Sequence, residues 1–483
     1  MQLGDLVPAD VGLPAGAGAI DITGMSADSR AVAPGFLFAA LPGTTTDGAR
    51  FAGEAIRRGA SAIVAGRDAD VPDIVPVLRA ADPRRALALM AAKFHPRQPP
   101  HLVAVTGTSG KTSVADFTRQ IFALTGHAAA SIGTLGSVTS RGTAYGTMTT
   151  PDPVALHKEL NSLAAAGITH AVVEASSQGL DQRRTDGLRI EAAAFTNLGR
   201  DHMDYHPTVE DYLAAKMRLF TVVLPATGTA VIDMDGARAG AVEEEAAERD
   251  LAFIRVGRAG EEIRLLDLIP DEFRQRLVLR AFGRERGILL PLAGAFQASN
   301  ALVAAGLAIA TGIAADAVFD AVEQLNGAPG RLELVGRKAD GAMVFIDYAH
   351  KPDALVTVLR ALRPMTAGRL VVVFGAGGNR DAGKRPLMGR AAAANADVVF
   401  VTDDNPRFEN AGAIRKAIAA AAPDAIEIGD RGEAIRRAVA MLEAGDVLCV
   451  AGKGHETGQI VGERTIAFSD RDAIHAALAE EAA

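Results

Sequence analysis

The sequence predicts an α/β protein of three domains, the larger two of which are built on parallel sheets. Three observations carry this expectation. The 483 residues exceed the ~250–300 at which a single core usually stops growing, and at roughly 150 residues per domain they correspond to about three domains. Short apolar runs alternate with amphipathic helical stretches through most of the chain. Two clusters rich in proline and glycine interrupt that alternation.

The two clusters give the predicted domain boundaries. Residues 95–100 contain three prolines, which neither continue a helix nor donate hydrogen bonds to a sheet. Residues 326–330, Asn-Gly-Ala-Pro-Gly, separate an alanine-rich helical pattern from a new β-rich segment. We therefore expect domains at residues 1–98, 99–328 and 329–483. The first domain shows little recognisable chemistry of its own.

The expected strands of the two larger domains are short runs of apolar, often β-branched residues. They occupy residues 102–106, 171–174, 193–197 and 230–233, and then 343–347, 370–374, 398–402 and 447–451. Such runs separated by helices predict parallel sheets made of βαβ units. Ligands of these sheets bind beyond the carboxyl ends of the strands. The unusual polar residues of this chain follow directly after the runs.

Composition excludes several classes of protein. Hydrophobic residues make up 49% of the chain and charged residues 22%, which excludes a disordered chain. With a net charge of −8, the chain lacks the excess of basic residues that is typical of a nucleic-acid binder. A single cysteine, Cys449, excludes an internal disulfide and favours the cytoplasm. We expect neither a secretory peptide nor a membrane anchor, because no basic segment precedes an apolar run and no apolar run approaches ~20 residues.

A phosphate-binding loop is predicted at residues 106–112, Thr-Gly-Thr-Ser-Gly-Lys-Thr, between a strand and a helix. Glycines let backbone N–H groups surround phosphates, and Lys111 supplies a positive charge. Thr112 is placed to offer a hydroxyl to a phosphate-bound Mg²⁺. The spacing is two residues shorter than the usual P-loop. A glycine-rich turn before an ordinary helix is the alternative, and the Lys-Thr pair favours an ATP site.

Three further features stay ambiguous when taken by themselves. Glu174 ends a strand, where it could bind Mg²⁺ or serve as a helix-cap or surface residue. Residues 201–206 hold two aspartates and two histidines, which fit a zinc site, a magnesium site or a capped helix start. Lys216 lies in a helical stretch and is by default a solvated surface lysine.

The motifs taken together resemble the Mur ligase family. They occur in the family's order from about residue 28 to residue 456: TGTSGKT, TTPDP, EASSQGL, TNLGRDHMDYH, YLAAKMRLF, DYAHKPDAL, FGAGGNRDAGKRPLMG, DNPR and GKGHE. Each motif is modest evidence, whereas the ordered set is highly specific. The resemblance is greatest to the branch that adds diaminopimelate.

The resemblance implies a three-domain, ATP- and Mg²⁺-dependent amide ligase of peptidoglycan precursor synthesis. Its central domain would be P-loop ATPase-like and its C-terminal domain Rossmann-like. Such a ligase converts the D-Glu carboxylate of UDP-MurNAc-L-Ala-D-Glu to an acyl phosphate, which the amine of meso-diaminopimelate displaces. Catalysis then depends on positioning and charge neutralisation. A cytoplasmic monomer is expected.

The resemblance also implies roles for individual residues. Catalysis would involve Lys111, Lys216 and His202. The nucleotide would contact Gly107, Thr108, Ser109, Gly110, Lys111, Thr112, Ser113, Asn300, Arg331 and Asp347. Magnesium would be bound by Thr112, Glu174, His202 and Lys216, the last as a carbamate. The nucleotide-sugar substrate would contact Ser29 with its UDP end, and Thr149, Thr150, Ser176, Gln182 and Arg184 with its dipeptide end.

The amino-acid acceptor would bind in the C-terminal domain, at Arg380, Asp404, Asn405, Pro406, Arg407, Gly452 and Glu456. Glu456 suits an ammonium group, whereas Arg380 and Arg407 suit carboxylates. Arg407 would pair with the distal carboxylate of diaminopimelate, which lysine lacks. Without the resemblance, the DNPR segment would be a proline turn with a surface arginine.

Two residues depart from the family pattern. Gln178 replaces a usual histidine, and Asn379 replaces a common aspartate. Three alternatives stay open at this point: a lysine-adding ligase, a folylpolyglutamate synthetase-like ligase, and a regulatory protein that binds ATP without ligation. Arg407 disfavours the first, DNPR and the Asp28-Ser29-Arg30 segment disfavour the second, and the set of Glu174, His202 and Lys216 disfavours the third.

Overall fold

The structure is a computed structural model that describes residues 1–43, 46–146 and 148–481. Its internal contacts divide the chain into two units. Unit 1 comprises residues 1–265, 280–284 and 302–321, and unit 2 comprises residues 266–279, 285–301 and 322–483. The predicted boundary at residue 98 lies inside unit 1, in a segment without helix or strand. The exact domain boundaries therefore stay predictions.

A four-stranded parallel sheet is the centre of the first part of unit 1. Its strands are β1 (Gly24–Ser26), β2 (Phe36–Ala40), β3 (Ala62–Gly66) and β4 (Val77–Ala80), in that order, with helices α1 (Leu3–Leu6), α2 (Ala52–Arg57) and α3 (Pro83–Phe94). Side chains alternate between two apolar cores, Leu37 and Val64 on one face and Phe38 and Ile63 on the other. Burial on both faces explains why these strands read as continuous apolar runs.

The next part of the chain contains the predicted phosphate loop and a larger sheet. Its strands are β5 (His101–Thr106), β6 (Ala129–Gly133), β7 (Gly136–Thr139), β8 (Gly142–Ala144), β9 (His170–Glu174), β10 (Ala192–Phe195), β11 (Thr229–Asp233), β12 (Ala252–Gly257), β13 (Ile263–Asp271), β14 (Arg274–Ala281) and β15 (Arg284–Leu290). Its helices are α4 (Lys111–Leu124), α5 (Pro153–Ala165), α6 (Ser177–Asp181), α7 (Val209–Arg218), α8 (Ala239–Glu248), α9 (Ala295–Ala310) and α10 (Ala315–Val322).

The strand order in this sheet places the site. Strands β12, β11, β10, β5, β9 and β6 are neighbours in that order and run parallel. The chain leaves β5 towards β6 and returns to β10 on the other side, so the order reverses beside β5. Because ligands of parallel sheets bind at such a reversal, beyond the carboxyl ends of the strands, the loops after β5, β9 and β10 are brought together at one edge.

Unit 2 contains the third sheet, in the order β16 (Glu333–Arg337), β17 (Met343–Asp347), β21 (Val447–Ala451), β18 (Leu370–Phe374), β19 (Val398–Val401) and β20 (Ile426–Glu427). Only β16 is antiparallel within it. Apolar cores cover both faces. Its helices are α11 (Pro352–Leu362), α12 (Lys384–Asn395), α13 (Ala411–Ala419), α14 (Arg431–Ala440) and α15 (Asp470–Glu481), and strands β22 (Gly458–Val461) and β23 (Arg464–Ala467) form a separate hairpin.

The predicted α/β class with parallel sheets is confirmed. All eight predicted runs are strands, within two residues at each end. Cys449 is buried in β21. None of the helices in the described ranges combines the length and apolar character that crossing a bilayer requires.

Candidate active site

The phosphate loop depends on two glycines. Gly107 has φ +148°, and a Cβ atom there would lie 1.9 Å from Oγ1 of Thr196. Gly110 has φ +89° and directly precedes helix α4. Because side-chain-bearing residues avoid such backbone angles, the sharp path from β5 into α4 requires glycine at both positions.

The loop is held by the segment that follows strand β10. The backbone N–H of Thr108 donates to the carbonyl of Asn197 at 2.8 Å, and that of Ser109 donates to Asn197 Oδ1 at 3.1 Å. The Thr196 hydroxyl donates to the Ser109 carbonyl at 2.6 Å. The loop therefore keeps its shape through contacts with a neighbouring strand end.

Lys111 lies over its own loop. Its Nζ donates to the carbonyl oxygens of Gly107 at 2.8 Å and Thr108 at 2.9 Å. A positive charge is thus placed within the curve of the backbone, at the N-terminus of α4, where the helix dipole also favours an anion. This arrangement is suited to phosphate groups.

Thr112 and Glu174 meet beside the loop. The Thr112 hydroxyl donates to Glu174 Oε2 at 3.0 Å, and Thr134 donates to the same carboxylate from its backbone N–H at 2.8 Å and its hydroxyl at 3.2 Å. Glu174 is only 1% exposed. A buried carboxylate and a hydroxyl at the start of the loop helix offer the hard oxygen ligands that Mg²⁺ prefers. These residues fit the ion.

Lys216 is a buried lysine on α7, only 1% exposed. Its Nζ donates to the Gly107 carbonyl at 2.7 Å and lies 4.4 Å from the centre of the Tyr212 ring. Burial, followed by the nearby charge of Lys111, lowers the pKa of Lys216 well below its ordinary value. The default expectation of a solvated surface lysine is wrong. Tyr212 and Lys216 are four residues apart on one helix face, a signal that sequence reasoning missed.

The cluster at residues 201–206 divides into two environments. His202 has φ +55° and a side chain that is 42% exposed, with Nε2 3.6 Å from Asp201 Oδ2. His206 is buried and packs against the rings of Tyr205 and Tyr212. Within the described residues, no three side chains of His, Cys, Asp or Glu are grouped to hold a metal ion. His202 is therefore the exposed histidine of this cluster and His206 the buried one.

The residues expected to contact the dipeptide surround Glu174. The Thr150 hydroxyl donates to the Glu174 carbonyl at 2.8 Å and lies 3.0 Å from the Ser176 hydroxyl. The Thr149 hydroxyl lies 3.0 Å from that of Thr134, which itself bonds Glu174. Thr149, Thr150 and Ser176 are thus brought together next to the proposed magnesium ligand.

Arg184 extends this group. It donates to the Thr150 carbonyl at 2.7 Å and to Gln182 Oε1 at 2.7 Å, and Gln182 donates to the Tyr205 hydroxyl at 3.1 Å. Burial lowers the pKa of Arg184. A half-buried guanidinium fixed by neutral acceptors is well placed to receive a carboxylate.

The positions of Ser29 and Gln178 do not indicate a particular role for either residue. The buried Ser29 hydroxyl donates to Glu54 Oε2 at 3.0 Å, and its contact with a UDP group stays a prediction. Gln178 is half-buried on the short helix α6. Nothing in the structure explains why glutamine stands there.

The expected nucleotide contacts in unit 2 form one hydrogen-bonded group. Asn300 donates to Gln297 Oε1 at 3.0 Å, and Gln297 donates to the Arg331 carbonyl at 2.9 Å. Asp347 accepts the backbone N–H of Leu332 at 2.6 Å, next to Arg331. Burial raises the pKa of Asp347 to about 6. Gln297 was not singled out from the sequence, although it lies three residues before Asn300 on the same helix face.

Arg331 is positioned by an aromatic ring. Its guanidinium lies 4.6 Å from the centre of the Tyr348 ring, a distance at which a cation is attracted to the ring face. Gly330, with φ +69°, has no room for a Cβ atom, which would lie 2.3 Å from the backbone nitrogen of His455. Tyr348 follows Asp347 directly and was likewise missed.

The expected acceptor residues surround the end of strand β19. Asn405 donates to Glu456 Oε2 at 2.9 Å, and a Cβ atom at Gly452 would lie 2.9 Å from Asp404 Oδ2. Pro406 is buried, and its carbonyl lies where a Cβ atom of Gly378 would stand. The structure therefore brings Asp404, Asn405, Pro406, Gly452 and Glu456 into one cluster.

The two arginines of this group differ in exposure. Arg407 donates to the Gly378 carbonyl at 3.0 Å, whereas Arg380, two residues further along the same loop, is exposed. Asn379, between Gly378 and Arg380, has φ +50° and accepts the Phe408 N–H at 3.0 Å. Asparagine and aspartate both tolerate this left-handed conformation better than most residues, so the backbone does not explain why asparagine stands here.

Three family models match successive segments of the chain: "Mur ligase family, catalytic domain" at residues 21–95, "Mur ligase middle domain" at 105–308, and "Mur ligase, glutamate ligase domain" at 330–454. A protein of Bradyrhizobium diazoefficiens is 56% identical over 487 residues, covering 100% of both chains, and one of Mesorhizobium japonicum is 57% identical over 465 residues, covering 96% of both. Both are named UDP-N-acetylmuramoyl-L-alanyl-D-glutamate–2,6-diaminopimelate ligase. A solved structure of a ligase with that name is 31% identical, with a TM-score of 0.74, covering 100% of this chain and 99% of the other.

Proposed function

The chain belongs to the Mur ligase family, and on that premise we propose that it is an ATP-dependent ligase that joins meso-diaminopimelate to the D-Glu carboxylate of UDP-MurNAc-L-Ala-D-Glu. The identity of more than half of all residues over the full length of named diaminopimelate ligases supports this substrate pair. The three domains of the family are present in order. The reaction belongs to the synthesis of peptidoglycan precursors, which takes place in the cytoplasm.

The observation that carries the proposal is the meeting of Thr112, Glu174 and Lys216 around one phosphate loop. A ligase that consumes ATP must bind the triphosphate and a magnesium ion close to a carboxylate substrate. The loop and Lys111 would hold the phosphates, and Thr112, Glu174, His202 and a carbamate on Lys216 would hold Mg²⁺. The ion supplies neutralisation of phosphate charge when bound.

The reaction needs an activated carboxylate, because a carboxylate by itself is a poor electrophile. An oxygen of the D-Glu carboxylate attacks the γ-phosphorus of ATP, and ADP leaves. The amine of diaminopimelate then attacks the carbonyl carbon, the C–O bond to phosphate breaks, and a proton leaves the nitrogen. Lys111, placed within the loop, would offset the negative charge on the transferring group.

The proposed carbamate on Lys216 follows from its surroundings. Only a neutral amine attacks CO₂, and burial of Lys216 favours the neutral form. The product carries a negative charge in place of a positive one. A carbamate would relieve the repulsion from Lys111. It would also supply an anionic oxygen ligand on the side of the loop where Glu174 lies.

Acceptor choice is assigned to unit 2. Arg407 and Arg380 would pair with carboxylates, and Glu456 would pair with an ammonium. An amino acid with a second carboxylate fits two arginines better than lysine does. The nucleotide end of UDP-MurNAc-L-Ala-D-Glu would bind the N-terminal domain near Ser29.

The direct test supplies UDP-MurNAc-L-Ala-D-Glu, ATP and Mg²⁺ with either diaminopimelate or lysine, and measures the tripeptide product and phosphate. We expect product with diaminopimelate and at most a small fraction of that rate with lysine. Equal use of lysine would remove the acceptor assignment. Product only with a folate and glutamate would indicate the folylpolyglutamate synthetase activity instead.

A further inference from the structure

Lys453 is a fully buried lysine, 0% exposed, next to the acceptor residues of unit 2. Its ammonium donates to Asn405 Oδ1 at 3.2 Å, to Glu456 Oε2 at 2.9 Å and to the Gly458 carbonyl at 2.7 Å. An ammonium has three N–H donors, so these three bonds use its full capacity. A buried cation is costly unless it is paired in this way, and Lys453 therefore holds one fixed position.

Asn405 connects this lysine to the rest of the acceptor cluster. Its Nδ2 donates to Glu456 Oε2 at 2.9 Å, and its Oδ1 accepts the Ile460 N–H at 2.9 Å as well as Lys453. The next contact along the chain is made by Arg407, whose backbone N–H donates to the Ile460 carbonyl at 3.0 Å. The segment that carries Arg407 and the loop that carries Glu456 are thus fixed to each other through one lysine and one amide.

The two carboxylate oxygens of Glu456 differ in their hydrogen bonds. Both hydrogen bonds that described residues make to it end on Oε2, and its side chain is 32% exposed. Oε1 carries neither of these bonds. A carboxylate held in this way through one oxygen is suited to accept hydrogen bonds from an incoming ammonium group through the other.

We propose that Lys453 is a positioning residue for the amino-acid acceptor, which orients the Glu456 carboxylate and the Asn405 amide. The inference rests on the proposed function, since it assigns Glu456 to the ammonium of that acceptor. Lys453 itself is covered by protein and does not touch the acceptor. It acts through Glu456, whose carboxylate it holds in place together with the Asn405 amide.

Other charged and titratable groups also face this carboxylate. Arg431, Tyr348 and His455 interact electrostatically with Glu456. Arg431 is already paired with Asp470 at 2.6 Å, so its charge is largely offset. Among the described residues, Lys453 is the cation that bonds Glu456 directly, and its removal should have the larger effect on the position of this carboxylate.

The test compares Lys453→Met with Lys416→Met, which removes an exposed lysine of helix α13 in the same unit. For Lys453→Met we expect the KM for diaminopimelate to rise by at least about tenfold, as for loss of one charge-assisted hydrogen bond. On the same scale of hydrogen-bond free energies, the KM values for ATP and for UDP-MurNAc-L-Ala-D-Glu should each change by less than about threefold. The kcat should change less than the KM for diaminopimelate does, because Lys453 does not touch the acceptor. Lys416→Met should behave like the wild type.

The double variant Lys453→Met/Glu456→Gln keeps the inference testable if Lys453→Met folds poorly. It removes the uncompensated charge and should fold, and its KM for diaminopimelate should match that of Glu456→Gln alone, because Lys453 acts through Glu456. The inference would be overturned if the effects of the two single variants on this KM multiplied in the double variant, or if Lys453→Met had the wild-type KM for diaminopimelate. A wild-type enzyme that makes no product with diaminopimelate would overturn the proposed function and this inference together.

Discussion

The hydroxyl of Thr112 donates a 3.0 Å hydrogen bond to the carboxylate of Glu174, joining the start of helix α4 to the end of strand β9. The two residues belong to separate motifs. Their contact shows that the reversal of strand order beside β5 places the phosphate loop and the acidic strand end at one point. Every proposed step of phosphate transfer depends on that meeting.

Glu174→Gln should weaken magnesium use without unfolding the protein. The amide keeps an oxygen to accept bonds from Thr134, whereas the negative charge is lost. We expect the Mg²⁺ concentration for half-maximal rate to rise, and kcat to fall by about a hundredfold or more, as for loss of one preorganised charged group. Glu244→Gln, an exposed change on α8, is the control. An unchanged magnesium titration would contradict the assignment of Glu174.

Gly107→Ala should destroy nucleotide binding. A methyl group at this position meets the Thr196 hydroxyl, and the backbone angle disfavours any side chain. We expect calorimetry to detect no ATP binding. Gly240→Ala on helix α8, where a methyl group meets nothing within 4 Å, should bind ATP normally. Normal ATP affinity in Gly107→Ala would show that the loop does not hold phosphates.

Lys216→Ala should abolish turnover, and added bicarbonate should not restore it, because the amine that would carry the proposed carbamate is gone. The modification itself is measured with ¹³C-labelled bicarbonate, which should give a carbamate carbon resonance in the wild type and none in the variant. A fully active variant would refute the role of Lys216. Absence of the resonance from active wild-type enzyme would refute the carbamate.

Arg407→Ala should lower kcat/KM for diaminopimelate by about a hundredfold, the scale of a charge-assisted, bidentate contact. Arg407→Lys should recover only part of this loss, because a lysine cannot form the forked contact. Arg390→Ala, an exposed change on α12, serves as the control. Undiminished preference for diaminopimelate over lysine in Arg407→Ala would contradict the proposed contact with the distal carboxylate.

Two buried histidines should make the protein less stable in acid. Burial lowers the pKa of His157 and of His170 to about 4, from an ordinary 6.5. The unfolded chain therefore takes up protons that the folded chain does not, and the free energy of unfolding should fall as the pH drops from 6.5 towards 4. The fully buried His157 contributes about 3 kcal/mol across that window. Urea unfolding at several pH values measures the slope.

His170→Phe isolates one contribution to that slope. The ring of His170 packs against those of His101 and His127, at 4.3 and 4.0 Å between ring centres, and a phenylalanine ring can keep these contacts without titrating. The acid slope should become shallower. The exposed His475→Gln should leave it unchanged. An unchanged slope in His170→Phe would show that this stack does not control acid stability.

The strands and the phosphate loop could be predicted from the sequence because their signals are local. Apolar runs and the Gly-x-x-Gly-Lys-Thr spacing lie within a few residues, and parallel sheets bring the residues after each strand to a common edge. Neither the apolar runs nor the spacing of the phosphate loop predicts the roles of Glu174 and Lys216. Each depends on contacts with residues far away in the chain, Thr134 and Gly107, and came from the family resemblance.

Other features were not predictable at all. Lys453 stands in a quoted motif, yet only the folded structure shows that its charge is buried against Asn405, 48 residues earlier in the chain. Gln297 likewise gains its partner, the Arg331 carbonyl, through folding. Burial of polar residues is rare, so a sequence reading places them on the surface by default. The functional scaffold consists largely of such exceptions.

The most direct measurement of the central claim uses UDP-MurNAc-L-Ala-D-Glu labelled with oxygen-18 in the D-Glu side-chain carboxylate. Incubation with ATP, Mg²⁺ and diaminopimelate should give the tripeptide, and mass spectrometry should find one labelled oxygen in each phosphate released. That transfer is expected because the carboxylate oxygen stays with phosphorus when the amine displaces the phosphate. Tripeptide formed with unlabelled phosphate would contradict activation of this carboxylate through an acyl phosphate.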